Sequence, residues 1–139
     1  MIVRRVMSNS GLVLSPLATI REASAIMRDR GVTALPVMGD ESPPGLLTDR
    51  QIVTRLLPDM RDAAARPVRD AMIRDPATCL ADHHVTTAAA IMGDHQVRHL
   101  LVLERCGALL GVLSVDDIAE NASEELAGHA LGEIVETRA

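Results

Sequence analysis

Two short stretches of the sequence carry side chains that could bind a ligand. GVLSVDDI (residues 111–118) places Ser114 three residues before Asp117, after a glycine and two aliphatic residues. GLLTDRQI (residues 45–52) repeats this frame with Thr48 and Gln51. A hydroxyl followed three residues later by an acid is also a common helix start, because both side chains can satisfy free backbone amides. The pattern therefore leaves open whether Ser114 and Asp117 only cap a helix or also hold a ligand.

Few other residues have a spacing that suits catalysis or metal binding. Cys79 and Cys106 form no CxxC pair, so we expect both to be reduced and structural. Four of the histidines lie near one another in sequence but have no recognised metal-ligand spacing: His83, His84, His95 and His99. Asp82-His83-His84 is better explained as the polar start of a helix. Because a nucleophile elbow, a P-loop and a Rossmann fingerprint are all missing, we predict no enzyme active site.

The composition narrows the classes of partner. The net charge of −5 argues against general nucleic-acid binding, which needs a basic face. The sequence contains no apolar run long enough for a membrane span and no secretory leader, so we expect a cytoplasmic protein. It has no aromatic residues, so a planar ligand would lie between aliphatic side chains or arginines. The acidic region after Asp116 is typical of a solvated helix face.

The chain is a tandem repeat. A shift of 65 residues places Met7 on Met72, and it places Val32, Leu35 and Val37 on Val97, Leu100 and Val102. With one more inserted residue, GLLTDRQI falls on GVLSVDDI. One copy is too small to bury its apolar face well, which favours two copies packed together.

Each copy has the pattern helix, strand, strand, helix. In the first copy Thr19 and Glu22 predict a capping box, and Gly31 predicts the helix end. The remaining elements follow from apolar runs and turn residues. We predict strands at 34–38 and 45–48 and a helix at 49–57. In the second copy we predict a helix at 84–95, strands at 99–104 and 108–114, and a helix beginning near 115.

These motifs in duplicate resemble a tandem CBS-domain pair (Bateman module). The matching pieces are VTALPVM (32–38), VRDAM (68–72), VRHLLVL (97–103) and the two endings described above. The resemblance implies an α+β fold in which two CBS repeats pack through their sheets with pseudo-twofold symmetry and form equivalent clefts. It divides the chain into repeat 1 (3–57), a connector (58–71), repeat 2 (72–122) and an acidic C-terminal helical tail (123–139).

The resemblance also assigns ligand contacts in the second copy. In the family pattern the acid accepts hydrogen bonds from a ribose diol, and the Ser or Thr lies near the ribose or phosphate; Ser114 and Asp117 fit this pattern. Arg98 and His99 occupy the strand position where nucleotide-binding members often carry basic phosphate contacts. An arginine can hold a phosphate with two hydrogen bonds. The alternative is an ordinary surface arginine beside a hydrogen-bonded histidine.

The first copy departs from the family pattern. Thr48 is present, but Gln51 replaces the acid and offers one acceptor oxygen beside two donor hydrogens. We therefore expect diol binding at Thr48 and Gln51 to be weaker or absent.

The main hypothesis is a regulatory module without enzyme activity. It would bind AMP, ADP, ATP or S-adenosylmethionine in the cleft between the repeats and modulate an unknown protein partner. We expect no tightly bound cofactor, no membrane or nucleic-acid partner, and a homodimer shaped as a disc of two pairs. The alternatives are a ligand-free CBS module for dimerisation or protein interaction and, less favoured, a His/Cys metal or redox sensor.

Overall fold

The fold consists of two units, each built around one repeat. A computed structural model describes residues 1–8, 11–40, 42–58 and 61–136. The first-repeat unit is Leu12–Pro76, and the second-repeat unit combines Met1–Gly11 with Ala77–Ala139. Both units mix helices and strands, which confirms the predicted α+β fold with two repeats.

The first-repeat unit contains one long helix and a strand pair. After a short N-terminal helix α1 (Val3–Val6), which belongs to the other unit, come α2 (Ile20–Arg30), β1 (Ala34–Val37) and β2 (Gly45–Thr48). Gly31 ends α2 with φ 65°, as predicted. Thr19 Oγ1 accepts from the Glu22 amide at 3.1 Å, which confirms the first half of the predicted capping box.

The helix predicted at 49–57 is not a single α-helix. It begins as α3 (Asp49–Gln51) and widens into a π-helical turn at Ile52–Leu56. The amide of Leu57 reaches back to the Ile52 carbonyl at 3.2 Å. One local cause is Thr54, whose hydroxyl donates to the Arg50 carbonyl at 2.7 Å, where the helix would otherwise place an amide.

The second-repeat unit has a longer sheet and an additional helix. It contains β3 (Thr78–Leu80), α4 (Val85–His95), β4 (His99–Leu103), β5 (Leu109–Ser114), α5 (Val115–Asn121) and α6 (Glu124–Glu136). The strand order is β3-β4-β5, with β3 parallel to β4 and β4 antiparallel to β5. His84 caps α4 by accepting from the Thr86 amide, as its place at the start of a predicted helix suggested.

The acidic tail forms a helix whose acids Glu124, Glu125 and Glu133 are exposed, as predicted, but it also has a buried apolar face. Ala127, Ala130 and Ile134 recur at helical spacing on α6 and are at most 3% exposed. They belong to the apolar core of the second-repeat unit, together with residues of α4 and α5. These acids lie on the rest of the helix. The number of acidic residues therefore did not reveal the narrow apolar face.

In each unit, a segment that precedes one repeat in sequence packs on the last strand of the other repeat. Val3 donates its amide to His83 and Ser8 pairs with Val112, whereas Val68 donates to Ala18 and Ile73 pairs with Leu46. These contacts are equivalent under the 65-residue shift, which becomes 66 for Leu46 and Val112 because of the inserted residue. The units therefore differ from the boundaries drawn on the sequence, since residues 3–8 pack with the second repeat and 68–76 with the first.

A glycine allows this packing in each unit. A Cβ on Gly45 would lie 2.9 Å from the Ile73 carbonyl oxygen, and one on Gly111 would lie 2.7 Å from the Met7 methyl carbon. The two glycines are equivalent in the repeat, so both copies need the same close approach.

None of the helices in the described residues combines the length and the apolar character needed to cross a membrane.

Candidate functional site

The candidate site lies where β4 begins and β5 ends. His99 and Ser114 face each other in the antiparallel register of these strands. The Val115 amide, at the start of α5, donates to the Arg98 carbonyl at 3.0 Å. The structure therefore brings Arg98, His99, Ser114 and Asp117 to one end of the strand pair, although they come from two separate stretches of sequence.

Ser114 and Asp117 form a complete capping box. Ser114 Oγ accepts from the Asp117 amide at 3.0 Å, and Asp117 Oδ2 accepts from the Ser114 amide at 2.9 Å. This geometry confirms the capping role that the sequence pattern suggested.

The other oxygen of Asp117 also has a partner. Ser8 Oγ donates to Asp117 Oδ1 at 2.6 Å, and the residue is only 8% exposed. A carboxylate can accept about four hydrogen bonds, and the described residues use two of these places. The carboxylate therefore keeps acceptor capacity, but a ribose diol must share it with Ser8 and the helix cap. The assignment of Asp117 to a ligand stays a prediction.

Arg98 supplies the accessible positive charge at this end. Its side chain is exposed, and it takes part in no salt bridge within the described residues. His99 is half-buried and already has an interaction partner. Of the two, Arg98 is better placed to contact a phosphate, whereas His99 has a structural contact as well.

The equivalent end of the first-repeat unit has no charged side chain in these positions. Thr48 is buried, accepts from the Gln51 amide at 3.3 Å, and donates to Gln51 Oε1. Thr33 and Ala34 stand where the second copy has Arg98 and His99. The side chains of Thr48 and Gln51 are thus bonded to each other, and the predicted weakness of this site stays a prediction.

Ser8 is the residue that sequence reasoning missed. The 65-residue shift aligns it with Ile73, and it follows Met7, which aligns with Met72. Its contact with Asp117 spans 109 positions of the chain. The repeat gave no signal for it, because Ser8 stands in the first copy by sequence and contacts the acid of the second copy.

The cysteines and histidines form no candidate metal centre in the part of the chain that the structure describes. Cys79 is 2% exposed on β3, and burial raises the pKa of its thiol to about 12. Such a thiol stays protonated near neutral pH and is a poor nucleophile or metal ligand. Cys106 is exposed, in the turn between β4 and β5.

Comparisons with known proteins identify both copies. The family model of the CBS domain matches residues 3–58 and 68–124. The CBS domain-containing protein YhcV of Bacillus subtilis is 32% identical over 133 residues, which cover 95% of this chain and 94% of that protein.

Solved structures share the fold over most of the chain. Hypoxic Response Protein I, solved with two coordinated zinc ions, aligns with a TM-score of 0.72 and 27% identity, covering 86% of this chain and 98% of the other. CBSX2 in complex with AMP aligns with a TM-score of 0.71 and 21% identity, covering 88% and 96%. The second likeness concerns the fold alone.

Proposed function

This chain belongs to the CBS-domain family, and we propose that it is a regulatory module that binds an adenosine-containing ligand and modulates a partner. AMP, ADP, ATP and S-adenosylmethionine are the candidate ligands. The second-repeat unit carries the ligand, with Ser114 and Asp117 at the ribose and Arg98 and His99 at the phosphate.

One observation carries this proposal. Arg98, an exposed cation, lies at the same strand end as Asp117, a carboxylate with acceptor capacity left. A ribose phosphate presents hydroxyl donors and an anion a few ångströms apart, and these two groups complement it. The AMP bound to CBSX2 supports an adenosine ligand for a protein of this fold.

Binding can be tested without interference from the protein, because the chain has no Phe, Tyr or Trp. Equilibrium dialysis against each nucleotide is read from adenine absorbance alone. We expect saturable binding of at least one candidate at or below millimolar concentration, together with a calorimetric increase in Tm. An adenine band in the purified protein, identified by mass spectrometry, would name the ligand directly.

Two variants assign the site. Arg98→Gln should weaken a phosphorylated ligand by about tenfold, since it removes a charge-assisted contact. Asp117→Asn should weaken every candidate ligand, because the amide places donors where the diol needs acceptors. Gln51→Ala is the matched control and should leave the affinity unchanged. Equal affinity in the wild type and both test variants would move the ligand elsewhere, and no binding of any candidate would reject the proposal.

A ligand-free interaction module is the second candidate function. The observation that favours it is that both Asp117 oxygens already have partners within the unit. In that case no nucleotide would bind the wild type, and Arg98→Gln and Asp117→Asn would change no nucleotide affinity. Sedimentation would instead show a dimer whose dissociation constant is the same with and without nucleotide.

A further inference from the structure

A cavity of about 740 Å³ lies in the first-repeat unit, beside the turn that joins β1 to β2. Val37 pairs with Gly45 at this end of the strands, whereas Ala34 pairs with Thr48 at the other end. The cavity is therefore not the counterpart of the Asp117 site. Its walls come from the turn before α2, from the β1–β2 turn and from residues 69–74.

Arg69 in the wall of this cavity has a direct equivalent in the other unit. The 65-residue shift places Arg4 on Arg69, and their backbones are held alike. The Arg4 amide donates to Ala81 at 2.9 Å, and the Arg69 amide donates to Pro16 at 3.1 Å. The two side chains therefore start from equivalent points in the two units.

The partners of the two arginines differ. Arg4 Nη2 lies 2.8 Å from both carboxylate oxygens of Glu104, which belongs to the turn after β4. The residue equivalent to Glu104 in the first copy is Gly39, which has no side chain. Within the described part of the chain Arg69 takes part in no salt bridge. In the second-repeat unit a carboxylate therefore binds Arg4, whereas in the first-repeat unit an open cavity lies beside Arg69.

A second cation adds to the charge of this cavity. Arg74 also lines it and likewise forms no salt bridge among the residues described. Asp40 is the one acid among the described lining residues, so these described side chains carry two positive charges against one negative. Ser15 and Ser42 add hydroxyl groups that can donate to an anion.

We propose that this cavity binds a small-molecule oxyanion, a phosphate or a carboxylate, with Arg69 holding it as Arg4 holds Glu104. The Glu104 carboxylate displays the ligand chemistry that this arginine position accepts. Arg74 supplies the second charge, which favours a dianion over a monoanion. This site is separate from the proposed nucleotide site, since it lies in the other unit and at the other end of the equivalent strands.

The experiment uses inorganic phosphate and succinate as probes of the two chemistries. Each is titrated into the full-length protein in a scanning calorimeter, against sodium chloride at equal ionic strength. We expect a saturable increase in Tm with at least one probe beyond the chloride response. The preferred probe tells a phosphate ligand from a carboxylate ligand. A response equal to that of chloride for both probes would overturn the proposal.

Single variants place the response on this cavity. Arg69→Gln should weaken the preferred probe by about tenfold, the size expected for one charge-assisted contact. Arg4→Gln is the matched control, and it should leave the probe affinity unchanged because Arg4 is occupied by Glu104. Arg98→Gln separates the two sites, because a response that is lost in this variant and kept in Arg69→Gln would place the probe at the proposed nucleotide site and overturn the assignment. Equal losses in Arg69→Gln and Arg4→Gln would refute the assignment.

Gly39→Glu tests the inference from the opposite direction. It supplies the first-repeat unit with the carboxylate that the second-repeat unit already has. A Cβ there would lie 3.2 Å from Pro16 Cγ, a contact that a small shift of the ring relieves. We expect the variant to lose the response to the probe, whereas a retained response would overturn the proposal. If Gly39→Glu does not fold, Arg74→Gln gives the same decision, with a weaker response expected.

Discussion

The two units keep the same packing and differ in where their unpaired charges lie. In the second-repeat unit the turn end is neutralised by Arg4 and Glu104, and Arg98 at the strand-to-helix end has no acid partner among the described residues. In the first-repeat unit Thr33 and Ala34 stand in the places of Arg98 and His99, and Arg69 and Arg74 line the turn end without a salt bridge among the described residues. The cations that we propose as anion contacts, Arg98 in one unit and Arg69 and Arg74 in the other, thus lie at opposite ends of the equivalent strands.

This contrast indicates which parts of the repeat are constrained by packing. Both copies have a glycine at the equivalent positions 45 and 111 and a methionine at the equivalent positions 72 and 7. The segments 3–8 and 68–76 need them to pack closely on the last strand. Polar residues at the ends of the strands differ between the copies, and the Ser8–Asp117 contact of the second-repeat unit has no polar equivalent at Ile73.

The largest effect on stability is expected for α6, the additional helix of the second-repeat unit. Ile134→Ala in α6 should lower the free energy of unfolding by about 3 kcal/mol, because Ile134 is 0% exposed and its loss leaves a cavity. Urea unfolding followed by far-UV circular dichroism measures this. Val135→Ala, 56% exposed on the same helix, is the control and should change stability by less than about 0.5 kcal/mol. Equal effects of the two variants would mean that α6 does not pack on the core.

The paired glycines should respond unequally to the same substitution. Gly45→Ala should cost about 2 kcal/mol, because the nearest obstacle is the Ile73 backbone carbonyl at 2.9 Å, which cannot turn away. Gly111→Ala should cost less, since its nearest obstacle is the flexible end of Met7. The same urea experiment compares them. A greater loss of stability in Gly111→Ala would show that the segment 3–8 is more rigid than the segment 68–76.

The sequence predicted the core of each copy because periodicity and capping are local signals. Thr19, Gly31 and Ser114 each act within a few residues, and each confines a helix end as expected. The docking of residues 3–8 on β5 could not be predicted this way, because it joins distant segments and depends on the packing of Gly111.

The candidate site was predictable in part. Ser114 and Asp117 were identified from one stretch, and the repeat pointed to the contrast with Gln51. The partner Ser8 could not be identified, since no local pattern links residues so far apart. The cavity beside Arg69 was also missed, because it results from a missing side chain at Gly39 that only the equivalent Arg4–Glu104 pair makes apparent.

Cys79 gives the second-repeat unit an alkaline sensitivity that the first cannot have, because the equivalent residue is Leu14. Burial raises the pKa of Cys79 from 9.0 to about 12, so the folded state holds its proton where the unfolded state has lost it. The stability is complete below pH 9 and falls between pH 9 and about 12 by about 1.4 kcal/mol per pH unit.

The chain is well suited to measuring this slope, because it contains neither Lys nor Tyr to titrate in the same range. Unfolding free energies at a series of alkaline pH values should decline in the wild type. Cys79→Ala should remove the decline, although it lowers stability below pH 9. Cys106→Ser, at the exposed cysteine, should preserve it. A slope that survives in Cys79→Ala would assign the sensitivity to other groups.

The smallest effect concerns the Ser8–Asp117 hydrogen bond. A double-mutant cycle with Ser8→Ala and Asp117→Ala should give a coupling energy of about 1 kcal/mol, because a charged acceptor and a nearby hydroxyl are lost together. The equivalent cycle with Ile73→Ala and Gln51→Ala should give about zero, since Ile73 has no polar group in its side chain. Equal coupling energies in the two units would contradict the difference in polar contacts at their strand-to-helix ends. If the Ser8 coupling disappears when a nucleotide saturates the protein, the ligand takes the acceptor oxygen of Asp117 that Ser8 holds in its absence.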